Sequence, residues 1–403
     1  METSLTSAHP PVHIDDDGQA MSAPGPAVKR RLPIETLLLA AVLIAAWVLL
    51  GLLVRTAALH HDFLNIYTGA SLARDGRFPQ LHSEAAQLAR ERELVPETPI
   101  LVPFVRPAFY AALLAPLALF DYRTAFTVWT LLQWALLGGC FWWAWRRFGP
   151  DSLLWGALSL PAALGIAHGQ DGPVLLAIAI GGYALAERGR EMMAGLVWSL
   201  ALMKFNLVLG LPVAMLAARR WRMFGGFTSG GALLGLISLA LGGLTDARSY
   251  VTMLTDKQLE RLAPSPELMI NVQAIALNIG LPEIPFALAA GAVVVALFVA
   301  VLHNAPLWRW FSSALIAGMI LAPHTYGYDA TILLLALWLI LFESHDVRVR
   351  IAAALFATPL VPLAALAGPP WAATPAVVLL FLLAALSWSA LVRKSVSVTV
   401  QSI

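Results

Sequence analysis

Apolar residues run through this chain in long blocks, broken by short polar and basic stretches. The blocks fall near 33–55, 124–145, 151–167, 171–186, 192–203, 205–218, 224–243, 284–302, 307–322, 329–342, 350–367 and 374–391. A helix that crosses the hydrocarbon core needs about 20 apolar residues, so most of the blocks read as transmembrane helices. The stretch 192–218 is just long enough for a hairpin of two short ones. The pattern predicts an all-α, polytopic transmembrane helical bundle of about twelve spans. The first block, from Pro33 to Val54, follows Lys29-Arg30-Arg31. It is longer than a signal-peptide core and no small-residue cleavage site closes it, so it reads as an uncleaved first span. Residues 1–32 read as a disordered cytoplasmic tail, rich in Pro, Ser and Ala with an acidic run at Asp15–Asp17. Residues 33–403 then form the transmembrane domain.

Charge sets the orientation. The basic groups Lys29–Arg31, Arg146-Arg147, Arg188/Arg190, Arg219-Arg220/Arg222, Arg348/Arg350 and Arg393-Lys394 can all be cytoplasmic together if 106–120 does not cross. That segment is short and carries Pro107 and Pro116, which suits a helix lying on or dipping into the outer face. Both termini are then inside. The outer surface holds a long loop, 56–123, with an amphipathic interfacial stretch (SEAAQLARERELV), and a second, 244–283. The glycine pairs Gly226/Gly230 and Gly231/Gly235 have the small-xxx-small spacing of close helix packing.

Composition agrees with a lipid solvent: 59% of residues are hydrophobic and 12% charged, about half the charged share of a soluble domain. Mean hydropathy is +0.75. Cys140 stands alone, so no intrachain disulfide can form. No Cys/His cluster has metal-ligand spacing, and neither metal nor cofactor is expected. The basic residues come as short pairs between apolar blocks, which gives nucleic-acid binding no support.

Ionisable and polar groups collect on the predicted outer face at the ends of spans, where each is costly unless partnered or hydrated. His61-Asp62 follows the first span; His168, Gln170 and Asp171 share one turn; Lys204 and Asn206 lie at the tip of the short hairpin. His324, Tyr326, Tyr328 and Asp329 share another turn, and Arg106 opens the non-crossing helix. Taken singly, Asp62 and His324 could be solvated or interfacial groups, and Asp171 and Asp329 suit helix N-caps. Asn271 and Gln273 could be solvated polar groups of the second loop. Lys204 is harder to dismiss, since a short hairpin leaves little length for snorkelling. The tryptophans suit an interfacial belt.

Several stretches resemble the polyprenol-phosphate-mannose-dependent alpha-mannosyltransferases, a bacterial family with a DUF2029-type domain and the GT-C membrane fold. They are HDFLNIYTGASLARDG (61–76), RPAFYAALLAPLALFDYRTAFTVWTLLQWALL (106–137), HGQDGPVLLAIAIGGYALAERGR (168–190), AGLVWSLALMKFN (194–206) and APHTYGYDATILL (322–334). The likeness runs from about residue 33 to 343. Its most specific pieces are Asp62-Phe63 near the first span, the Gly169-Gln170-Asp171-Gly172 turn and Lys204, which is followed here by Phe205 where the family commonly has proline. The resemblance implies a multi-pass glycosyltransferase of the bacterial inner membrane. Its donor would be a polyprenyl phosphate sugar used on the outer leaflet, and its acceptor a glycolipid or a glycan. In this fold the carboxylate after the first span is usually the catalytic base, and Asp62 matches it.

The chemistry implied is inverting transfer through an oxocarbenium-like transition state. An acceptor hydroxyl is a poor nucleophile, so a carboxylate must take its proton. Asp62 is expected in that role, with His324 orienting it or relaying the proton. Lys204 and Arg106 are expected to meet the leaving phosphate. Gln170, Asp171, His168, Tyr328 and Gln273 are expected to bind sugar or acceptor. Mannose, arabinose and glucose donors would make similar demands. A transporter or flippase is the competing class, because polar groups within a bundle also mark substrate paths. Against it stand the missing inverted repeat and a polar cluster at one face rather than the midplane. An assembly partner without catalysis is a third class, and it requires Asp62 and Lys204 to be dispensable.

Overall fold

The structure is a computed structural model that describes residues 34–60, 62–98, 100–255, 265–302 and 305–401. The expected tail at 1–32 and His61 lie outside the described residues. Among the described residues the chain is helical with no strand, an all-α polytopic membrane protein. Its α-helices are α1 Ile34–His60, α2 Asp62–Arg74, α3 Glu84–Leu94, α4 Ala108–Leu114, α5 Tyr122–Phe148, α6 Asp151–Ala157, α7 Leu160–Ala167, α8 Gly172–Glu187 and α9 Glu191–Ser199. They continue as α10 Gly210–Ala217, α11 Trp221–Thr255, α12 Val272–Ile279, α13 Glu283–Leu302, α14 Leu307–Leu321, α15 Leu333–Glu343, α16 Val347–Ala357, α17 Leu360–Ala364 and α18 Thr374–Gln401.

Burial divides the helices by what surrounds them. Leu38, Leu39, Val42, Leu49, Leu52 and Leu53 of α1 are all exposed, as are Leu131 and Trp142 of α5 and Ile284, Leu288 and Val293 of α13. Apolar surface on this scale has hydrocarbon as its solvent. The helices α14 and α15 are the reverse. From Arg309 to Ile320 and from Leu333 to Leu341 every side chain is buried, as expected of central helices apolar on all sides.

Among the described residues six segments are continuous, long and apolar enough to cross a bilayer: Ile34–Leu53, Tyr122–Phe148, Glu191–Val208, Trp221–Thr255, Glu283–Leu302 and Trp371–Leu391. The bent pair Val347–Ala357 and Leu360–Ala367 makes a seventh. The other apolar blocks form shorter or broken helices, for local reasons that hydropathy does not see. Ser159 caps α7 by accepting from Ala162 N, and Pro161 sits in the first turn, so block 151–167 splits into α6 and α7. Pro359 stands at the 58° bend between α16 and α17. The expected hairpin at 192–218 is instead one span-length element, Glu191–Val208, followed by α10.

Helix packing follows the glycines. A Cβ on Gly226 would lie 2.1 Å from Met192 O, and one on Gly195 2.0 Å from Met223 O, so α9 and α11 cross in backbone contact. Gly230 faces Ser199 Oγ in the same way at 2.2 Å, whereas Gly235 faces open space. Only the first of the two glycine pairs is therefore fully a packing motif.

At one end of the bundle Arg147 binds Glu187 at 2.9 Å and Glu343 at 2.6 Å, and Arg220 binds Glu191 at 2.6 Å. The basic connections near 147, 188 and 220 thus gather on one side, as the charge pattern expects. The segment Ala108–Leu119 is too short to cross, as the short, proline-bearing stretch 106–120 suggested. From there α5 runs 27 residues, about 40 Å, to Arg147 at the opposite end.

Candidate active site

The site is built on α2, whose side chains from Phe63 to Ala73 are all buried. Asp62 opens this helix and is held by its packing. The turn His168–Asp171 comes to it from α7. Gly169 takes φ +71°, a region open to glycine at little cost, and a Cβ there would lie 2.9 Å from Phe63 Cβ. A Cβ on Gly172 would lie 2.9 Å from Thr331, on the 3-10 helix Gly327–Ile332 that carries Tyr328 and Asp329. The two glycines therefore let one tight turn touch both walls of the site. Trp129 Nε1 fixes the turn by donating to Gly169 O at 2.8 Å.

That closeness brings His168 Nδ1 into a short hydrogen bond with Asp62 Oδ2. Both side chains remain partly exposed, His168 at 31% and Asp62 at 23%. The His168 ring also lies 6.2 Å from Tyr328, and both residues line an apolar groove of about 810 Å³ with Leu164, Ile270, Tyr326 and Val361.

Beneath this pair is a buried ionic network. Arg106 Nε donates to Asp171 Oδ2 at 2.7 Å, and its other nitrogens reach Gln170 Oε1 at 3.4 Å and Asn65 Oδ1 at 3.5 Å. Lys204 Nζ donates to Asp329 Oδ1 at 2.5 Å and stands 3.5 Å from Asp171 Oδ1. Asp329 also accepts from Tyr326 N at 2.9 Å, capping its own short helix. Burial alone would raise the pKa of Asp171, but the charges of Arg106 and Lys204 outweigh it and hold the carboxyl below the usual range. Burial would likewise lower the pKa of Arg106, and Asp171 more than offsets it, so the guanidinium stays charged. Asp171 stands at the N-cap of α8 yet makes no side-chain cap bond, because its carboxylate is turned to Arg106.

The backbone breaks at Lys204, with φ −136° and ψ 61° inside an otherwise helical run. The resembled family commonly has a proline after this lysine, which would disfavour helix at the lysine itself. Here Phe205 follows and the break persists, with the ammonium tied to Asp329 and Asp171.

The expected residues are not all brought together. Asp62, His168, Gln170, Asp171, Arg106, Lys204 and Tyr328 form one cluster. His324 is exposed, its ring edge-on to Tyr326 at 5.1 Å and its carbonyl accepting from Asn206 at 2.7 Å. Gln273 donates to Glu283 at 3.0 Å on the exposed surface. Asn271 is buried and structural, donating to Ala322 O at 2.9 Å and capping α12 through Ala274 N.

Three residues join the site that sequence reasoning did not single out. Asn65 reaches Arg106 from α2. His82 and Asp246 form a buried pair at 2.9 Å, and His82 Nε2 bonds Arg106 O at 2.8 Å. They lie 164 positions apart in the chain, so no local pattern marks them.

A bilayer-spanning bundle with a buried ionic network under a partly exposed aspartate–histidine pair defines a membrane protein with an enzyme-like site at one end. The model of glycosyltransferase family 87 matches residues 104–323, more than half of the chain, and the chain belongs to this family. It is therefore a membrane glycosyltransferase. The match contains Arg106, His168, Gln170, Asp171 and Lys204, while Asp62 and Asp329 lie outside it. No curated protein and no solved structure matches the chain.

Proposed function

We propose that this glycosyltransferase takes a hexosyl unit, mannose by the resemblance, from a polyprenyl phosphate sugar and transfers it with inversion to an acceptor hydroxyl. The reaction takes place at the outer face of a bacterial inner membrane, with both termini cytoplasmic. The observation that carries the reading is the Asp62–His168 pair, a partly exposed carboxylate oriented by an imidazole above a rigid buried network. Asp62 Oδ2 is occupied by His168, which leaves Oδ1 to accept the acceptor proton. The acceptor oxygen bonds to the anomeric carbon as the bond from that carbon to the phosphate oxygen breaks. The proton goes to Asp62 and the electron pair leaves with the polyprenyl phosphate. His168 takes the orienting role expected of His324.

Arg106 and Lys204 are each held by a carboxylate, so their part is to fix the His168–Asp171 turn against α2 and the 327–332 helix. Tyr328, over His168, offers an aromatic face to a sugar. The groove beside these two residues gives a glycolipid or glycan acceptor its approach. Family membership sets the transporter reading aside.

The test is a single-compartment reaction. Purified protein in detergent receives labelled polyprenyl phosphate mannose and an extract of cell-envelope glycolipids and glycans. The expected result is release of polyprenyl phosphate only when the extract is present. Absence of release, with protein shown to be folded, would contradict the donor assignment.

A further inference from the structure

Both cations that the sequence offers for a phosphate are engaged by Asp171 and Asp329, and a third basic side chain stands close by. Arg55, on the last turns of α1, is half-buried and donates to Thr127 Oγ1 at 2.8 Å. Its guanidinium lies 5.6 Å over the Phe126 ring. Among the described residues no carboxylate pairs with it. Phe126 packs 5.0 Å from Phe63, the residue after Asp62, so one aromatic ring separates Arg55 from the wall of the site.

Arg55 is also the polar end of a groove. Between α1, α5 and α7 lies a space of about 550 Å³ walled by Trp47, Leu52, Leu131, Trp134, Ala163 and Ile166. Along α1 it runs from Trp47 to Arg55, about 12 Å at 1.5 Å per residue. Thr130 lines it as well, and its buried Oγ1 has no hydrogen-bond partner. A helical threonine commonly satisfies itself on the preceding turn, as Thr127 does on Arg123 O at 3.1 Å. The groove therefore ends in a guanidinium without a carboxylate and holds a hydroxyl without a partner. The short helix α7 divides it from the apolar groove at His168, since Ala163, Ile166 and Ala167 face one space and Pro161 and Leu164 the other.

We infer that the α1/α5/α7 groove binds the hydrocarbon chain of a polyprenyl phosphate, with the phosphate on Arg55. This rests on the lipid-phosphate donor proposed above. The chemistry selects the occupant. A neutral glycolipid brings no charge for Arg55, and a soluble sugar nucleotide has no use for an apolar trough inside the bilayer. A phosphate placed at Arg55 presents its sugar toward Asp62 from one side of α7, and the acceptor reaches the same carboxylate from the other. Negative charge that builds on the leaving phosphate then meets a fixed guanidinium.

The test uses the full chain in lipid nanodiscs with labelled farnesyl phosphate as probe and farnesol as its uncharged counterpart. Arg55→Gln is expected to weaken farnesyl phosphate binding about 10–100-fold, the worth of a charge-assisted hydrogen bond, and to leave farnesol binding unchanged. Arg55→Lys keeps most of the binding, and Leu52→Trp, which fills the trough, weakens both ligands. Melting temperature confirms that each variant is folded. Unchanged farnesyl phosphate binding in folded Arg55→Gln would overturn the inference. So would competition by phosphatidic acid as effective as that by farnesyl phosphate, because the groove would then hold bulk phospholipid. If the binding pattern holds but no sugar is transferred from polyprenyl phosphate mannose, the lipid-phosphate site stands and the donor assignment fails.

Discussion

Replacing Arg106 with Met removes a charge from a buried pair. The Asp171 side chain is 0% exposed and that of Arg106 6%, and their 2.7 Å bond is the shortest contact Asp171 makes. In the variant the cation left to the carboxylate is Lys204 at 3.5 Å, which is already engaged by Asp329 at 2.5 Å. Breaking a buried pair by deleting one partner costs about 3–5 kcal/mol. Total domain stabilities are about 5–15 kcal/mol, so the loss is large enough to read directly. Arg106→Met/Asp171→Asn removes the stranded charge as well and should recover at least about 2 kcal/mol, a coupling that distant sites do not show. The pH dependence has a fixed sign. Wild-type Asp171 has a depressed pKa, so its contribution is present above the unfolded value near 3.9 and is lost only as pH falls through the lower folded value. Between pH 5 and 9 that contribution is flat. In Arg106→Met the carboxyl loses its main counter-charge and its pKa rises, so the variant should be more stable at pH 5 than at pH 8. Reversible unfolding in mixed micelles measures the four proteins of the cycle: wild type, Arg106→Met, Asp171→Asn and the double variant. An Arg106→Met protein within 1 kcal/mol of wild type, or strictly additive costs in the double variant, would show that Arg106 and Asp171 are not coupled.

Two further outcomes follow from other parts of the fold. Burial raises the pKa of Glu91 from 4.5 to about 7, against a lowering hydrogen bond from Val102 N. Stability should therefore fall as pH rises from about 4.5 to 7, and Glu91→Gln, which keeps an oxygen for Val102, should flatten that slope in melts at pH 5 and pH 8. Gly226→Ala drives a methyl into Met192 O and should cost about 1–3 kcal/mol or more, while Gly235→Ala, facing open space, should be neutral or slightly stabilising. Equal melting temperatures for the two alanine variants would remove the packing role of Gly226.

Much of this was legible because membrane chemistry writes itself into composition. Long apolar blocks announce helices, and paired arginines announce one side. The polar groups of the site were visible as anomalies in an apolar chain, and the resemblance singled out Asp62 among them. Their partners were not visible, because pairing depends on which helix ends meet. Asp171 and Asp329 both suited N-caps. Asp329 does cap Tyr326 N while also binding Lys204, whereas Asp171 turns to Arg106 across 65 positions. His168 sits 106 residues from Asp62, and only the glycine-permitted turn on Phe63 brings them together. His82 and Asp246 carried no signal, for they fall in two separate predicted outer loops and only the fold pairs them. Span counting lost accuracy for a similar reason: hydropathy registers a block of 17 residues such as 151–167 but not the Ser159 cap that divides it.

Asp62→Asn asks whether Asp62 takes the acceptor proton. Asn is nearly isosteric and keeps an oxygen for His168 Nδ1, but it cannot accept a proton at neutral pH. The variant should fold and bind farnesyl phosphate as wild type does, while turnover of labelled polyprenyl phosphate mannose falls by about 10²–10⁴, the usual worth of general-base catalysis. Wild-type turnover in folded, donor-binding Asp62→Asn protein would contradict the mechanism at its centre.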